Sequence, residues 1–173
     1  MHVHWRVLRI VALVIAAAVF TSVGVAATEP VRLEAGMQAP LFARADLDGN
    51  SVDLKALRGQ VVLLDFWASW CAPCIVEIPH LIDLQKRFGS QGLRVIGVSM
   101  DDTSAPVKSL RQRFAFNYPL VMGDAKFGNL YGGVLGLPVR FLISRDGKII
   151  RVWRGEVPAD TVEKALKTAL KGS

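Results

Sequence analysis

The stretch VVLLDFWASWCAPCIVEIP, residues 61–79, decides how the rest of the chain is read. Val61 to Trp67 is apolar on both faces except for Asp65, the pattern of a strand in the middle of a covered sheet. Pro73 then falls where a first helical turn begins, a place where its missing N–H costs nothing. A helix is expected from Ala72 or Pro73 to Phe88, stopping at Gly89. Cys71 and Cys74, the only cysteines among 173 residues, stand at the junction of strand and helix.

Cysteines at this spacing admit four uses. A structural zinc ion needs four nitrogen or sulfur ligands, and the only histidines are His2, His4 and His80, the first two next to an apolar terminal segment. Covalent haem attachment needs a histidine straight after the second cysteine, where Ile75 stands. A static disulfide across so short a loop restricts the unfolded chain very little. A redox pair is left. Positions i and i+3 on a first helical turn set the Cα atoms about 5–6 Å apart, within disulfide range. Cys71, at a helix N-terminus whose free N–H groups stabilise a thiolate, is expected to be the exposed nucleophile. Cys74, one turn in, is expected to be shielded and to resolve the mixed disulfide.

Outward from this centre, two Asp-Gly turns mark hairpins, Leu41 to Leu47 with Ser51 to Leu54, and Val139 to Ser144 with Lys148 to Trp153. Leu93 to Ser99 reads as a second buried strand and Pro119 to Met122 as a short one. Helices are expected at Ala105 to Phe114, Lys126 to Tyr131 and Pro158 to Leu170. The order describes an α/β fold with a mixed sheet. Before it, Arg6 and Arg9 precede Ile10 to Ala27, an uncharged apolar run ending in small residues. Residues 1–27 are therefore expected to be a cleaved secretory signal or a retained membrane anchor, residues 28–38 a linker, and 39–173 the folded domain, outside the cytoplasm.

The first 27 residues hold two of the 21 Lys and Arg and no acid, so the remainder carries 19 basic against 15 acidic residues. So mild a balance, without a dense basic block, gives no footing for nucleic acid. A monomer is the default.

VVLLDFWASWCAPC closely resembles the active-site strand and turn of thioredoxin. The wider pattern, GMQAPLF, then DLDGNSVDLKALRGQVVLL, CAPCIVEIP and GLPVRFLISRDGKI, resembles the TlpA/ResA-like branch of exported thiol-disulfide oxidoreductases, over about Gly36 to Trp153. The resemblance implies a thioredoxin-like fold with an N-terminal β-hairpin and an inserted helix–strand element near Met100 to Met122. It implies that Asp65, whose carboxyl burial should push up, exchanges a proton with Cys74. Many members of the branch carry asparagine there. Glu77, on the Cys74 face of the helix, would tune thiol reactivity, and Leu137–Pro138 would be cis beside the cysteines. Trp70, Pro73 and Leu137 are the expected substrate-facing residues, with Trp67 and Trp153 in the core. His80 reads as a partly exposed helix residue.

The activity so implied is reduction of disulfides in exported proteins, apocytochrome c or other secreted thiols. It takes electrons from a membrane donor and needs no cofactor or metal. Ala72-Pro73, with no histidine between the cysteines, resembles reducing members; a thiol oxidase or isomerase is the alternative. A thiol peroxidase would carry threonine three residues and proline seven residues before its cysteine, where Ala68 and Leu64 stand. A copper-delivery protein of this fold would need another cysteine spacing and a distal histidine.

Overall fold

The computed structural model describes residues 31–172; the expected signal or anchor lies outside them. A five-stranded sheet forms the centre. Its order is β5 (Leu120–Met122), β4 (Leu93–Ser99), β3 (Val61–Trp67), β6 (Val139–Ile143), β7 (Ile149–Arg154). Strands β3, β4 and β5 run parallel, whereas β6 and β7 are antiparallel additions, so the sheet is mixed as expected. β3 lies in the middle and every one of its residues is buried, which is why VVLLDFW carries no alternation.

The two faces of β3 receive different layers. Val61, Leu63 and Trp67 meet helix α1 (Ala72–Phe88), helix α4 (Ala159–Lys171) and Val107 of α2 (Ser104–Phe114). Val62, Leu64 and Phe66 meet the hairpin β1 (Ala43–Ala45) and β2 (Ser51–Asp53), together with α3 (Ala125–Leu130). On this second face Phe42, Phe66, Phe127, Tyr131 and Phe141 form an aromatic cluster with edge-on and tilted contacts. The hairpin is pinned to the sheet where Leu47 N–H donates to Leu120 O at 2.9 Å. Before it, Gly36 and Ala39 donate to Ile149 and Gly147, fixing residues 36–39 against β7.

Helix α1 continues through Pro79 and ends at Phe88. The expected stop at Gly89 is where the helix ends, with Gly89 as its C-cap. Gly89 stays right-handed (φ −55°) and opens a short 3₁₀ turn, and the left-handed residue is Gly92 (φ 97°). The chain must make one further turn to reach β4, and only at Gly92 does its direction reverse. Arg87 of α1 then clasps Glu163 of α4 through two bonds of 2.8 and 2.7 Å, aligning the two helices.

Candidate active site

β3 delivers the chain to Trp67 at the end of the sheet, and residues 68–70 turn it into α1. That turn is held by Asp101, just beyond β4. Its carboxylate accepts from Ser69 N–H at 2.9 Å, Ser69 Oγ at 2.6 Å and Ser99 Oγ at 2.8 Å. Met100 N–H donates to Trp67 O at 2.8 Å, closing the same corner. Cys71 is the N-cap of α1 with extended backbone, and Ala72-Pro73 starts the helix.

Cys71 and Cys74 are joined by a disulfide with Cα atoms 5.3 Å apart, as the helical spacing predicts. Cys71 is not exposed in this oxidised form: it is 6 % accessible, against 3 % for Cys74. Both cysteines belong to the core cluster that Leu137 packs against. The exposure lies instead on Trp70, 70 % accessible directly before the pair. Pro73 is half-buried, Pro138 is buried, and the Leu137–Pro138 bond is cis. Trp67 and Trp153 are in the core.

Asp65 projects on the α1 side of β3, in phase with Leu63 and Trp67. Of its two strand neighbours, Gly97 on β4 offers no side chain, whereas Arg140 on β6 is directly opposite. Arg140 Nε donates to Asp65 Oδ1 at 3.0 Å, and its Nη2 donates to Glu77 Oε2 on α1. Asp65 and Arg140 are buried and Glu77 nearly so. Burial pushes the Asp65 carboxyl up, while the Arg140 charge and hydrogen bond oppose that rise. Tyr118, also buried, is pushed well up by desolvation and then by the Asp65 charge.

Two grooves flank this centre. One, of about 500 Å³, is lined by Glu77, His80, Arg140 and Glu156, so the buried ion cluster faces open space between α1 and the approach to α4. His80 is half-buried and its Nε2 has no partner among the described residues. The other, of about 480 Å³, runs beside the cis-proline loop between Arg32, Leu135, Leu137 and Arg154.

The structure thus gathers Asp65 and Glu77 on one guanidinium and sets Trp70 and Pro73 around the disulfide. Arg140 and Asp101 were not anticipated. Arg140 sits in an apolar strand two residues past Pro138, where its phase could have flagged it as facing the same side as Asp65. Asp101 carries no such signal in a polar loop.

Comparison with known proteins agrees with this geometry. Residues 35–152 match the AhpC/TSA family. A thiol-disulfide oxidoreductase ResA from Bacillus thuringiensis subsp. konkukian is 34 % identical over 142 residues, 81 % of each chain. A Chlorobium tepidum protein assigned as thiol:disulfide interchange protein DsbE superposes with a TM-score of 0.74 at 33 % identity, covering 80 % of this chain and 99 % of that one. A thioredoxin family thiol:disulfide interchange protein from Chlorobium tepidum TLS superposes at 0.72 with 27 % identity, over 78 % of this chain and 96 % of its own. With a thioredoxin-like fold and a cysteine pair closed at the head of α1, the chain belongs to the AhpC/TSA family and is a ResA-like thiol-disulfide oxidoreductase.

Proposed function

We propose that this enzyme works outside the cytoplasm as a reductant of disulfides in exported proteins, apocytochrome c or other secreted thiols among them. The observation that carries the reading is the Cys71–Cys74 pair, able to close at 5.3 Å on a helix that begins Ala72-Pro73. The apolar run Ile10 to Ala27 supports export or anchoring.

In the reduced enzyme the Cys71 thiolate, stabilised at the head of α1, attacks one sulfur of a substrate disulfide. A mixed disulfide forms and one substrate sulfur leaves as thiolate. Cys74 then gives its proton to Asp65 and attacks Cys71 Sγ. The mixed bond breaks, the second substrate sulfur leaves as thiolate, and the Cys71–Cys74 disulfide forms. Substrate thiolates take their protons from water. Two electrons have passed to the substrate, so the enzyme must be re-reduced. A membrane thiol relay is the class of donor that this requires outside the cytoplasm.

Glu77 tunes the thiols by its charge. Trp70, Pro73 and Leu137 meet the substrate, whose chain lies as an extended strand along Leu137–Pro138. The enzyme acts as a monomer.

Trapping tests the reading. Reduced Cys74→Ser protein mixed with a disulfide-bearing protein substrate should accumulate a covalent adduct at Cys71, cleaved by dithiothreitol, whereas Cys71→Ser should give none. Equal adducts from both variants, or none from either, contradict it.

A further inference from the structure

The Asp65–Arg140–Glu77 cluster contains two carboxylates and one guanidinium, all drawn from different elements: β3, β6 and α1. The register puts Asp65 directly across from Arg140, so their contact is built into the sheet and does not depend on a loop. Glu77 reaches the same guanidinium from the helix that carries Cys74. An ionised Asp65 with no partner would be costly at this depth and would hold its proton. An unpaired Arg140 would be worse, because guanidinium cannot shed its charge.

We propose that Arg140 is a positioning residue that keeps Asp65 ionised as the acceptor of the Cys74 proton and leans on Glu77 once that proton has arrived. The inference rests on the reading of Asp65 given above. With both carboxylates ionised the cluster carries one net negative charge; protonating Asp65 brings it to zero. In either state the buried cation keeps a carboxylate partner, which one acid alone could not provide. The groove lined by Glu77, His80, Arg140 and Glu156 then gives the proton a way to solvent. Other groups facing Asp65 are few. Tyr118 is pushed toward its neutral form and Gly97 carries no charge, so Arg140 is the cation in contact with Asp65 among the described residues.

Release of thionitrobenzoate from the chromogenic disulfide dithiobis(nitrobenzoic acid) by reduced protein separates the steps. The first release follows attack by Cys71 and depends on concentration. The second is unimolecular and reports resolution by Cys74. Its rate against pH is measured for the wild type, Arg140→Gln, Arg140→Lys and Asp65→Asn. Gln keeps hydrogen-bonding capacity without charge, and Lys keeps the charge. The acidic limb of the second phase should move to higher pH by about 1–3 units in Arg140→Gln. Within that window the rate should fall up to about tenfold per unit. The limb should stay near its wild-type position in Arg140→Lys and disappear in Asp65→Asn.

An Asp65→Asn protein that keeps the wild-type limb removes Asp65 as acceptor, and with it both readings. A limb lost in Asp65→Asn but unmoved in Arg140→Gln overturns the role of Arg140 alone. Lower rates in Gln and Lys alike, with no shift of the limb, mean a merely structural contact and also overturn it. If Arg140→Gln fails to fold, carbon-13 titration of the Asp65 carboxyl in the reduced wild type decides: ionised at neutral pH supports the proposal, still protonated at about pH 8 overturns it.

Discussion

Replacing Asp101 by alanine removes the anchor of the turn that presents Cys71. The carboxylate accepts three hydrogen bonds of 2.6 to 2.9 Å, two from Ser69 and one from Ser99. Bonds to an ionised acceptor contribute about 1.5–3 kcal/mol each. Simple addition overstates the loss, because one truncation breaks all three and the donors share it. Ser69 is half-buried, so water replaces part of what it loses. Ser99 is fully buried and its hydroxyl is left without an acceptor. The expected destabilisation is about 3 kcal/mol, with Asp101→Asn, which keeps one acceptor oxygen, recovering roughly half. Guanidinium denaturation followed by tryptophan fluorescence measures it. Because Asp101 holds the turn and neither sulfur, oxidised and reduced proteins should lose alike. The reduction potential should move by less than about 15 mV, a difference of about 0.7 kcal/mol between the two forms. A loss under about 0.5 kcal/mol would show that the turn stands without Asp101. A potential shift beyond about 30 mV would show that its bonds favour one redox state.

Glu163 is held down to about 2, first by the Arg87 hydrogen bond and then by Lys167. A lowered carboxyl adds stability above its ordinary value near 4.5 and loses it as pH falls toward 2, so wild type should approach Glu163→Gln in stability over that window. Urea midpoints at about pH 6 and about pH 3 check this, and a constant gap refutes it. A methyl added at Gly97 would lie 2.7 Å from Leu120 Cδ2, 3.1 Å from Trp67 Nε1 and 3.3 Å from Tyr118 Cε2. Gly97→Ala should therefore cost about 1–3 kcal/mol by chemical denaturation, and a neutral result would mean that this corner of the core yields. Trp70→Ala should change stability by less than about 0.5 kcal/mol, since the ring is exposed. It should slow reduction of a protein disulfide while leaving a small aromatic disulfide unaffected; equal slowing of both argues against docking by Trp70.

Local patterns carried the fold because its elements follow their own periodicities. Val61–Trp67 and Leu93–Ser99 read as buried strands with the boundaries that the structure has, since two covered faces leave runs that are apolar but for Asp65 in the first and Arg94 and Ser99 in the second. The cysteine pair was legible from spacing, since helix geometry alone brings Cys71 and Cys74 within bonding range. The cis bond at Pro138 came from resemblance and not from local chemistry. What eluded the sequence depends on contacts between distant segments. Arg140 is 75 residues from Asp65, and only the β3–β6 register makes them neighbours. Asp101 needs the 68–70 turn folded over it before its carboxylate has anything to hold. Past the end of α1, the left-handed reversal falls at Gly92 and not at Gly89, because it is set by where β4 must begin. Burial of Cys71 in the closed disulfide depends on packing by distant segments that residue identity does not announce.

The central claim is that the Cys71–Cys74 pair hands electrons to other proteins. Its reduction potential, read by equilibrating the protein with dithiothreitol buffers, tests that most directly. The account predicts a value below about −230 mV, toward the thioredoxin end of the scale. A value above about −150 mV would contradict it and make the enzyme an oxidant of exported thiols.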